Sequence, residues 1–434
     1  MARALIAGLL AIALLAPGCG SSEEGAVRFL VFGDPEEIRA YRQVASDFEE
    51  RTGHEVLLVE ASDRSDLIAR LSTSIAGGAP PDVFLMNYRY YAQFAARDAI
   101  EPVTERLDES DAFEPGDFYS VALDAFRWRG EQLCIPQNVS SLVVYYNRDL
   151  FAKYGVSEPE DDWTWNTMVG RAAALTRDAN GRQIVAGDPD AGGAPAAVYG
   201  LGVEPSVIRI APFVWSNGGE VVDDEAEPTR FTLETRAAQE ALRGFLDLRL
   251  ASGVVPSDIE VEATDDETRF ANGGLAMLLS SRRSTPLFRT ITAFEWDVAP
   301  LPRWQERAGI LHSDAFCITR GSERKNAAWA LVEYALGPEG QRTLAESGRT
   351  VPSLVDVSRS EAFLDPSLPP RRAQVFLDGI PSIRSVPVIS TWPEIEDVSE
   401  PILENGLYLG QPASEVAERL DRATRPLFAR GETP

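Results

Sequence analysis

A short polar and aromatic segment, Asn87-Tyr88-Arg89-Tyr90-Tyr91, offers the clearest binding chemistry in the sequence. It places an amide, a cation and aromatic rings directly after the apolar run 82–86, which reads as a buried strand. Amide and guanidinium groups donate hydrogen bonds, and ring faces contact apolar surface. A purely structural loop is more often rich in Gly and Asp. We therefore expect Asn87 or a neighbour to touch a ligand, although each tyrosine could instead pack onto the next helix.

The residue types that catalysis and metal binding use most are scarce. His54 and His312 are the only histidines and lie far apart in sequence, which argues against a His-rich metal site. The lysines Lys153 and Lys325 do not follow a P-loop, and neither Gly-x-Ser-x-Gly nor His-Glu-x-x-His occurs. The sequence predicts no catalytic residues, no metal and no cofactor.

The composition bounds the class of protein. The 434 residues are 44% hydrophobic and 25% charged, which suits two or three packed domains and argues against a disordered or multi-span membrane protein. The net charge of −26 disfavours nucleic-acid binding, because the phosphate backbone requires clustered Lys and Arg.

The N-terminus predicts export. Arg3 precedes an apolar stretch too short to span a bilayer comfortably, and Pro17-Gly18-Cys19 follows. This arrangement resembles a bacterial lipoprotein signal, in which Cys19 would be lipidated after removal of residues 1–18 and residues 19–25 would form a tether. Ala16 stands where that pattern usually has Leu, and a plain secretory signal is the alternative. In an oxidising compartment the remaining cysteines, Cys134 and Cys317, are either a disulfide or two buried thiols.

The elements that position the first segment form a β-α-β-α-β pattern. Apolar runs at 27–32, 55–59 and 82–86 alternate with helical patterns that begin after Asp34 and near Ser65. This pattern predicts a doubly wound parallel sheet, in which ligands bind beyond the carboxyl ends of the strands. A second α/β unit follows, with strands at 142–147 and 275–280, a loop at 177–197, and helices near 206–216, 235–251, 265–271, 322–336, 339–346 and 413–428.

An ordered set of short motifs identifies the chain as a member of a known family. It resembles the extracellular solute-binding proteins of ABC importers, in the sugar-binding group related to maltose-binding protein. The motifs are Leu133-Cys134-Ile135-Pro136, Tyr145-Tyr146-Asn147-Arg148-Asp149-Leu150, Trp163-Thr164-Trp165, Phe270-Ala271-Asn272-Gly273-Gly274, Ala299-Pro300-Leu301-Pro302 and Gly337-Pro338-Glu339-Gly340-Gln341.

The resemblance implies an α/β, two-lobed periplasmic-binding-protein fold of type II. Each lobe would hold a mixed, mostly parallel sheet flanked by helices. Lobe 1 would comprise 26–136 and 312–347, and lobe 2 would comprise 140–305 and 350–434. Three crossing segments would join them, near 137–139, 303–311 and 349–352. The resemblance also makes the strands around Ile135 and Phe316 neighbours, so that Cys134 and Cys317 would form a disulfide.

The resemblance further implies a ligand clamped between the lobes and no chemistry performed on it. Sugar sites combine stacked rings with charged or amide hydrogen-bonding groups. The ligand-binding candidates are the strand-end, crossing and cleft-helix residues Asp34, Glu36, Asn87, Tyr88, Arg89, Asn138, Ser140, Ser141, Arg209, Phe213, Trp215, Ser281, Arg282, Arg283, Asp314 and Trp392. Asp34 and Glu36 could instead only cap a helix, and Trp215 and Trp392 could be core residues.

The expected function is a monomeric, lipid-anchored carrier in the periplasm or on the outer face of the cytoplasmic membrane. It would deliver a sugar or oligosaccharide to permease subunits that work with a separate ATPase. One alternative is a carrier of an anionic or nitrogenous solute such as a sugar acid, glycerol phosphate or a polyamine. Several aromatics in the cleft would favour a sugar, and clustered arginines would favour an anion. A remote alternative is an exported glycan-active enzyme, which needs two carboxylates about 5–10 Å apart.

Overall fold

The structure is a computed structural model that describes residues 25–185 and 196–434. The predicted signal, Ala16 and the lipidation site Cys19 lie outside the described residues, as does part of the predicted loop at 177–197.

The first part of the chain confirms the predicted β-α-β-α-β order. Asp34 accepts a hydrogen bond from the Glu37 backbone N–H at 2.9 Å, Pro35 begins the first helix, and Gly53 ends it with a left-handed φ of 73°. The elements are β1 (Val27–Val31), α1 (Pro35–Thr52), β2 (Val56–Glu60), α2 (Arg64–Ala76), β3 (Val83–Asn87), α3 (Tyr88–Ala95), α4 (Thr104–Asp108), α5 (Ser120–Asp124), β4 (Arg127–Trp128), β5 (Glu131–Gln132) and β6 (Cys134–Pro136), with a 3₁₀ turn at Pro115–Asp117.

The middle of the chain forms a second set of elements. They are β7 (Val143–Asn147), α6 (Arg148–Tyr154), α7 (Trp165–Leu175), α8 (Val207–Ser216), α9 (Arg236–Leu250), α10 (Asp258–Ala263), α11 (Asp266–Ala271), β8 (Met277–Ser280), α12 (Thr285–Phe288), β9 (Trp296–Ala299), β10 (Gly309–Ile310) and β11 (Asp314–Ile318), with a 3₁₀ turn at Arg282–Ser284.

The C-terminal part is mainly helical. It contains α13 (Lys325–Leu336), α14 (Pro338–Glu346), α15 (Val355–Ser358), α16 (Glu361–Leu364), α17 (Gln374–Asp378), a 3₁₀ turn (Ile380–Ser382), β12 (Ile383–Arg384), α18 (Trp392–Leu409) and α19 (Ala413–Phe428). The sequence patterns did not predict α18, which holds Pro393 in its first turn and Pro401 in its interior. Of the described helices, none has both the length and the apolar character that a membrane crossing requires.

The larger sheet has the strand order β2-β1-β3-β11-β6. The pairs β1–β2 and β1–β3 are parallel, whereas β11 runs antiparallel to both β3 and β6. The chain leaves this sheet after β6 and returns to it only at β11. This sheet is therefore built from residues on both sides of the second set of elements.

The second sheet differs from the expected mostly parallel arrangement. Its order is β8-β7-β9, and both pairings are antiparallel. Beside β8 there are two isolated parallel bridges, Tyr199–Leu275 and Gly202–Leu278. The central strand β7 therefore runs in the opposite direction to both of its neighbours, β8 and β9.

A disulfide joins the two strands at one edge of the larger sheet. Cys134 of β6 and Cys317 of β11 stand directly opposite each other in the antiparallel register. Their sulfur atoms are bonded at 2.01 Å and their Cα atoms are 4.4 Å apart. The bond closes a loop with a sequence separation of 183 residues.

Three extended segments run side by side between the two sheets. Asn138 pairs with Pro352, and Ser140 pairs with His312, in isolated antiparallel bridges. The Val139 N–H donates to the Val351 carbonyl at 2.9 Å. These contacts bring together the neighbourhoods of the three expected crossings. The residue boundaries of the two lobes stay a prediction.

Candidate functional site

A polar cavity of about 190 Å³ lies where the larger sheet, the crossing segments and α8 meet. Its wall is rich in charged and hydrogen-bonding side chains. The lining residues are Glu37, Arg64, Asn87, Arg89, Asn138, Ser140, Glu204, Ile208, Arg209, Ser281, Arg283, His312, Asp314, Arg349 and Thr350.

Strand register places the first polar pair of the cavity. Asn87 ends β3 and lies opposite Asp314, the first residue of β11. The Asn87 side chain donates to Asp314 Oδ1 at 3.0 Å and accepts from the Arg89 backbone N–H at 3.2 Å, which caps α3. Asn138 holds the same strand end, because its Oδ1 accepts from the Asp314 N–H at 2.9 Å. Both amides are thereby fixed in place.

Arg89 links α3 to α18. Its Nη1 atom lies 2.5 Å from the carboxylate of Glu396, and both side chains are mostly buried. Burial acts to lower the pKa of Arg89, but the Glu396 carboxylate and the neighbouring hydroxyls of Tyr90 and Tyr88 together raise the pKa above the ordinary value. The pair joins an element of the larger sheet to the C-terminal helices.

Arg349 links the third crossing segment to the start of α1. It is paired with the Glu37 carboxylate and lies 2.8 Å from Asp34 Oδ2. Glu37 is 5% exposed and also accepts a hydrogen bond from the Tyr41 hydroxyl at 2.9 Å. Burial raises the pKa of Glu37, and the nearby Arg349 opposes that rise.

Arg209 projects from the first turn of α8. Its Nη2 donates to Glu204 Oε2 at 3.1 Å, and its Nη1 lies 3.4 Å from His312 Nε2. Its Nε has no hydrogen-bond partner, although the residue is only 4% exposed. Arg209 lowers the pKa of Glu204. Burial, with Arg209 and other guanidinium groups, lowers the pKa of His312 well below its usual range, so the imidazole is neutral at pH 7.

Two further arginines complete the cationic wall. Arg283 follows β8 and pairs with Glu267 at 2.9 Å while its side chain stays 49% exposed. Arg64 begins α2, and its nearest paired carboxylate oxygen is Asp314 Oδ1 at 4.0 Å. The guanidinium of Arg64 lies 5.2 Å from the ring centre of Tyr90, and its Nε has no hydrogen-bond partner.

Half of the predicted ligand residues line this cavity. They come from strand ends, a crossing segment and α8, and they are Asn87, Arg89, Asn138, Ser140, Arg209, Ser281, Arg283 and Asp314. The structure brings them together at one place, and their contact with a ligand stays a prediction.

Four predicted polar residues lie outside the lining. Asp34 caps α1 and pairs with Arg349, while Glu36 faces out and pairs with Arg39 at 2.6 Å. Ser141 accepts a hydrogen bond from the Ile310 N–H at 3.0 Å. Arg282 is 1% exposed and lies over the Phe363 ring, and burial lowers its pKa to about 9. The cap formed by Asp34 was the alternative that the sequence offered, whereas the partners of Arg282 and Ser141 and the ion pairs of Asp34 and Glu36 were not foreseen.

The four predicted aromatic residues are likewise packed away from the cavity. Tyr88 is fully buried, and Phe213 packs against the Trp165 ring at 4.7 Å. Trp215 is 3% exposed beneath the Arg384 guanidinium. Trp392 is fully buried, and its indole N–H donates to Glu396 at 2.9 Å. No Phe, Tyr or Trp side chain of the described residues lines the cavity.

Sequence reasoning missed seven of the lining residues as binding candidates. They are Glu37, Arg64, Glu204, Ile208, His312, Arg349 and Thr350. Arg349 and Thr350 belong to a predicted crossing, and Arg64 follows the carboxyl end of β2, so position alone could have nominated these three. Glu204 precedes α8 and is brought in by its ion pair with Arg209, a contact that no sequence pattern signals.

The wall suits recognition of a polar solute. Guanidinium, amide and hydroxyl groups donate hydrogen bonds, and carboxylates accept them. In the part of the chain that the structure describes, no group of three or more His, Cys, Asp or Glu side chains is placed to hold a metal ion.

Comparison with known proteins gives one family match over most of the chain. The family model for bacterial extracellular solute-binding proteins matches residues 33–342. A Brucella abortus protein named as a binding protein is 23% identical over 416 residues, which is 94% of this chain and 93% of the relative.

Solved structures share the fold. An ABC substrate-binding protein from Listeria monocytogenes, solved in complex with cycloalternan, has a TM-score of 0.82 at 23% identity and covers 93% of this chain and 98% of its own. UgpB from Mycobacterium tuberculosis, solved in complex with glycerophosphocholine, has a TM-score of 0.77 at 18% identity and covers 94% and 99%. The predicted fold class is confirmed by these likenesses.

Proposed function

Because this chain belongs to the family of bacterial extracellular solute-binding proteins, we propose that it captures a small hydroxyl-rich solute in the polar cavity. The observation that carries the proposal is the lining itself, which draws on the larger sheet, the crossing segments and α8. A solute there would contact both sheet-bearing units at once. Closure about such crossings lets a carrier sequester its ligand and present an occupied form to a transporter.

A sugar or sugar derivative is the solute class that we propose. The Listeria protein was solved with cycloalternan, and the Mycobacterium protein with glycerophosphocholine. The cavity of about 190 Å³ somewhat exceeds the roughly 150 Å³ cavity that holds benzene in an engineered protein. That size suits one sugar ring. The amides, guanidinium groups and carboxylates of the wall would hydrogen-bond to its hydroxyls.

The remaining features of the carrier follow from the N-terminus and the family. We propose that Cys19 is lipidated and holds a monomer at the outer face of the cytoplasmic membrane. Permease subunits with a separate ATPase would take the solute onward, because this chain has no P-loop of its own.

We further propose that the bound solute leaves unchanged. Hydrolysis of a glycan needs a protonated carboxylic acid opposite a second carboxylate. Glu37 and Glu204 are each paired with an arginine, Arg349 and Arg209 respectively. Arg209 lowers the pKa of Glu204, and Arg349 opposes the rise that burial gives the pKa of Glu37. The third lining carboxylate, Asp314, accepts a hydrogen bond from the Asn87 amide at 3.0 Å, so all three already have structural partners.

A thermal-shift panel tests the proposed function. We expect a saturating carbohydrate or carbohydrate derivative to stabilise the protein by several kcal/mol, because a ligand at 1,000 times its Kd contributes about 4 kcal/mol. The panel contains mono- and oligosaccharides, sugar acids, sugar phosphates and polyols, with amino acids as the control class. No response to any carbohydrate, or release of cleaved products, would contradict the proposal.

A further inference from the structure

We propose that the solute carries an anionic substituent, a phosphate or carboxylate, held by Arg64, Arg209 and Arg283 beside the first turn of α8. This inference rests on the proposed function and narrows its solute class. It starts from the five arginines of the lining, which face the cavity together with three carboxylates. Further carboxylates pair with these arginines from outside the lining, so the preference for an anion depends on how completely each arginine is paired.

Two of the five arginines already have strong partners. Arg89 is held at 2.5 Å by Glu396, and Arg349 is held by Glu37 and Asp34. These ion pairs connect different elements around the cavity and account for both cations as structural groups. The other three arginines are less fully paired.

Arg209 gives the strongest indication. Its guanidinium is 5% exposed as a side chain, has one carboxylate partner, and keeps a buried Nε without an acceptor. An unsatisfied buried donor costs about 1–3 kcal/mol, and more when the group is charged. The guanidinium lines the cavity wall, where an anion would give it a second charged partner beside Glu204. A neutral hydroxyl would offer a hydrogen bond without that charge.

Arg64 and Arg283 approach the same space from other elements. Arg64 comes from α2, lies 4.0 Å from its carboxylate and has its own Nε without an acceptor. Arg283 follows β8 and is half exposed beside Glu267. Three guanidinium groups from separate elements therefore face one cavity. Guanidinium pairs with phosphate and carboxylate in a planar, two-pronged geometry.

The electrostatic surroundings of His312 and the first turn of α8 favour a negatively charged group in the cavity. Besides burial, four arginines (Arg209, Arg89, Arg283 and Arg64) lower the pKa of His312, which reports a positive potential at that wall. Ile208 lines the cavity from the first turn of α8. The first turn of a helix has N–H groups without intrahelical acceptors and carries a partial positive charge. Both features would stabilise an anion.

A neutral sugar alone fits this wall less well. Sugar sites usually offer an aromatic face, and no Phe, Tyr or Trp side chain of the described residues lines this cavity. Tyr90 lines an adjoining pocket, and the guanidinium groups of Arg64 and Arg89 lie over its ring. The predicted stacking residue Trp392 is fully buried. The wall instead offers guanidinium groups, and Arg64, Arg209 and Arg283 have only distant, single or half-exposed carboxylate partners.

Isothermal titration calorimetry with matched ligand pairs tests the inference. The mature protein is titrated with glucose 1-phosphate and glucuronate, each compared with glucose, and with glycerol 3-phosphate, compared with glycerol; maltose is a second neutral sugar. We expect at least one anionic probe to bind about 100-fold or more tightly than its neutral counterpart, because each charge-assisted hydrogen bond contributes about 1.5–3 kcal/mol. Comparison of the phosphates with glucuronate identifies which anion the site takes.

Two variants locate the effect. Arg283→Gln is expected to weaken the anionic probe about 10- to 100-fold and to weaken a neutral sugar clearly less, because glutamine keeps a hydrogen-bond donor but loses the charge. Arg148→Gln is the control, because Arg148 is a similarly exposed arginine in an ion pair with Glu158 and does not line the cavity. It should change neither affinity.

Each other outcome overturns the inference. The inference of an anionic substituent is wrong if a neutral sugar binds as tightly as every anionic probe, or if Arg283→Gln lowers the affinities for the anionic probe and the neutral sugar equally. In either case the carrier function stands. If no carbohydrate binds, neutral or charged, the proposed function fails and the inference fails with it.

Discussion

Replacing Cys134 and Cys317 by serine is expected to lower the free energy of unfolding by about 2–5 kcal/mol. The disulfide joins β6 to β11 across a sequence separation of 183 residues. Without it the unfolded chain gains the entropy of a long open loop, because closure entropy grows with the logarithm of loop length. Among the described strands β6 pairs with β11 alone, so the bond fastens an edge strand to its one neighbour in the sheet.

Urea denaturation of the wild type and the double variant measures this effect. Reductant supplies the control, because it should lower the midpoint of the wild type to that of the variant and leave the variant unchanged. Equal midpoints for oxidised wild type and variant would contradict the expected contribution. Free thiols in the purified protein would contradict the bond itself.

Replacing Arg349 by methionine is expected to cost about 3 kcal/mol at pH 7. Arg349 is the cation that compensates buried Glu37, and removing one partner of a buried pair leaves an uncompensated charge. We take the lower end of the usual 3–5 kcal/mol because the Arg349 side chain is about one-fifth exposed.

The loss of unfolding free energy caused by Arg349→Met should also depend on pH. Burial already raises the pKa of Glu37 above its unfolded value, and loss of Arg349 removes the main group that opposes the rise. The folded variant then binds a proton that the unfolded chain has released, so stability falls as pH rises above the unfolded pKa. We expect a larger deficit at pH 8 than at pH 5.

Urea denaturation at both pH values measures this deficit. Arg236→Met is the matched control, since Arg236 is 93% exposed in a helical ion pair with Glu240 and should cost under about 1 kcal/mol at either pH. A deficit for Arg349→Met no larger than that of the control would contradict the assigned role of the ion pair.

Local signals explain why much of the fold was predictable. Capping by Asp34, the proline after it and the left-handed Gly53 mark both ends of α1. Alternation of such helices with apolar runs predicts the parallel core β2-β1-β3. The antiparallel second sheet was not foreseen, because its strands are short apolar runs whose direction depends on distant connections. Pro393 and Pro401 obscured α18 in the same way.

The site was only half predictable for a related reason. Residues at strand ends and crossings, such as Asn87 and Asn138, follow from topology. Which side chain turns inward depends on partners far away in sequence. Trp392 is held by Glu396 within the helical core, whereas Arg64 and Glu204 enter the cavity through tertiary contacts. The sequence suggested that aromatic residues stack on the ligand, but in the structure they pack in the protein core.

We propose above all that the solute binds in the cavity beside α8. The most direct measurement is a calorimetric titration of wild type and Ile208→Trp with the carbohydrate or derivative that stabilises most in the panel. Ile208 lines the cavity, so an indole there would occupy the space of the solute. Leu287→Trp, at a 41% exposed position outside the lining, is the control. We predict one site per chain in wild type and control, and at least 100-fold weaker binding in Ile208→Trp at a temperature where its unfolding curve shows the variant to be folded. Wild-type affinity in Ile208→Trp would contradict the claim.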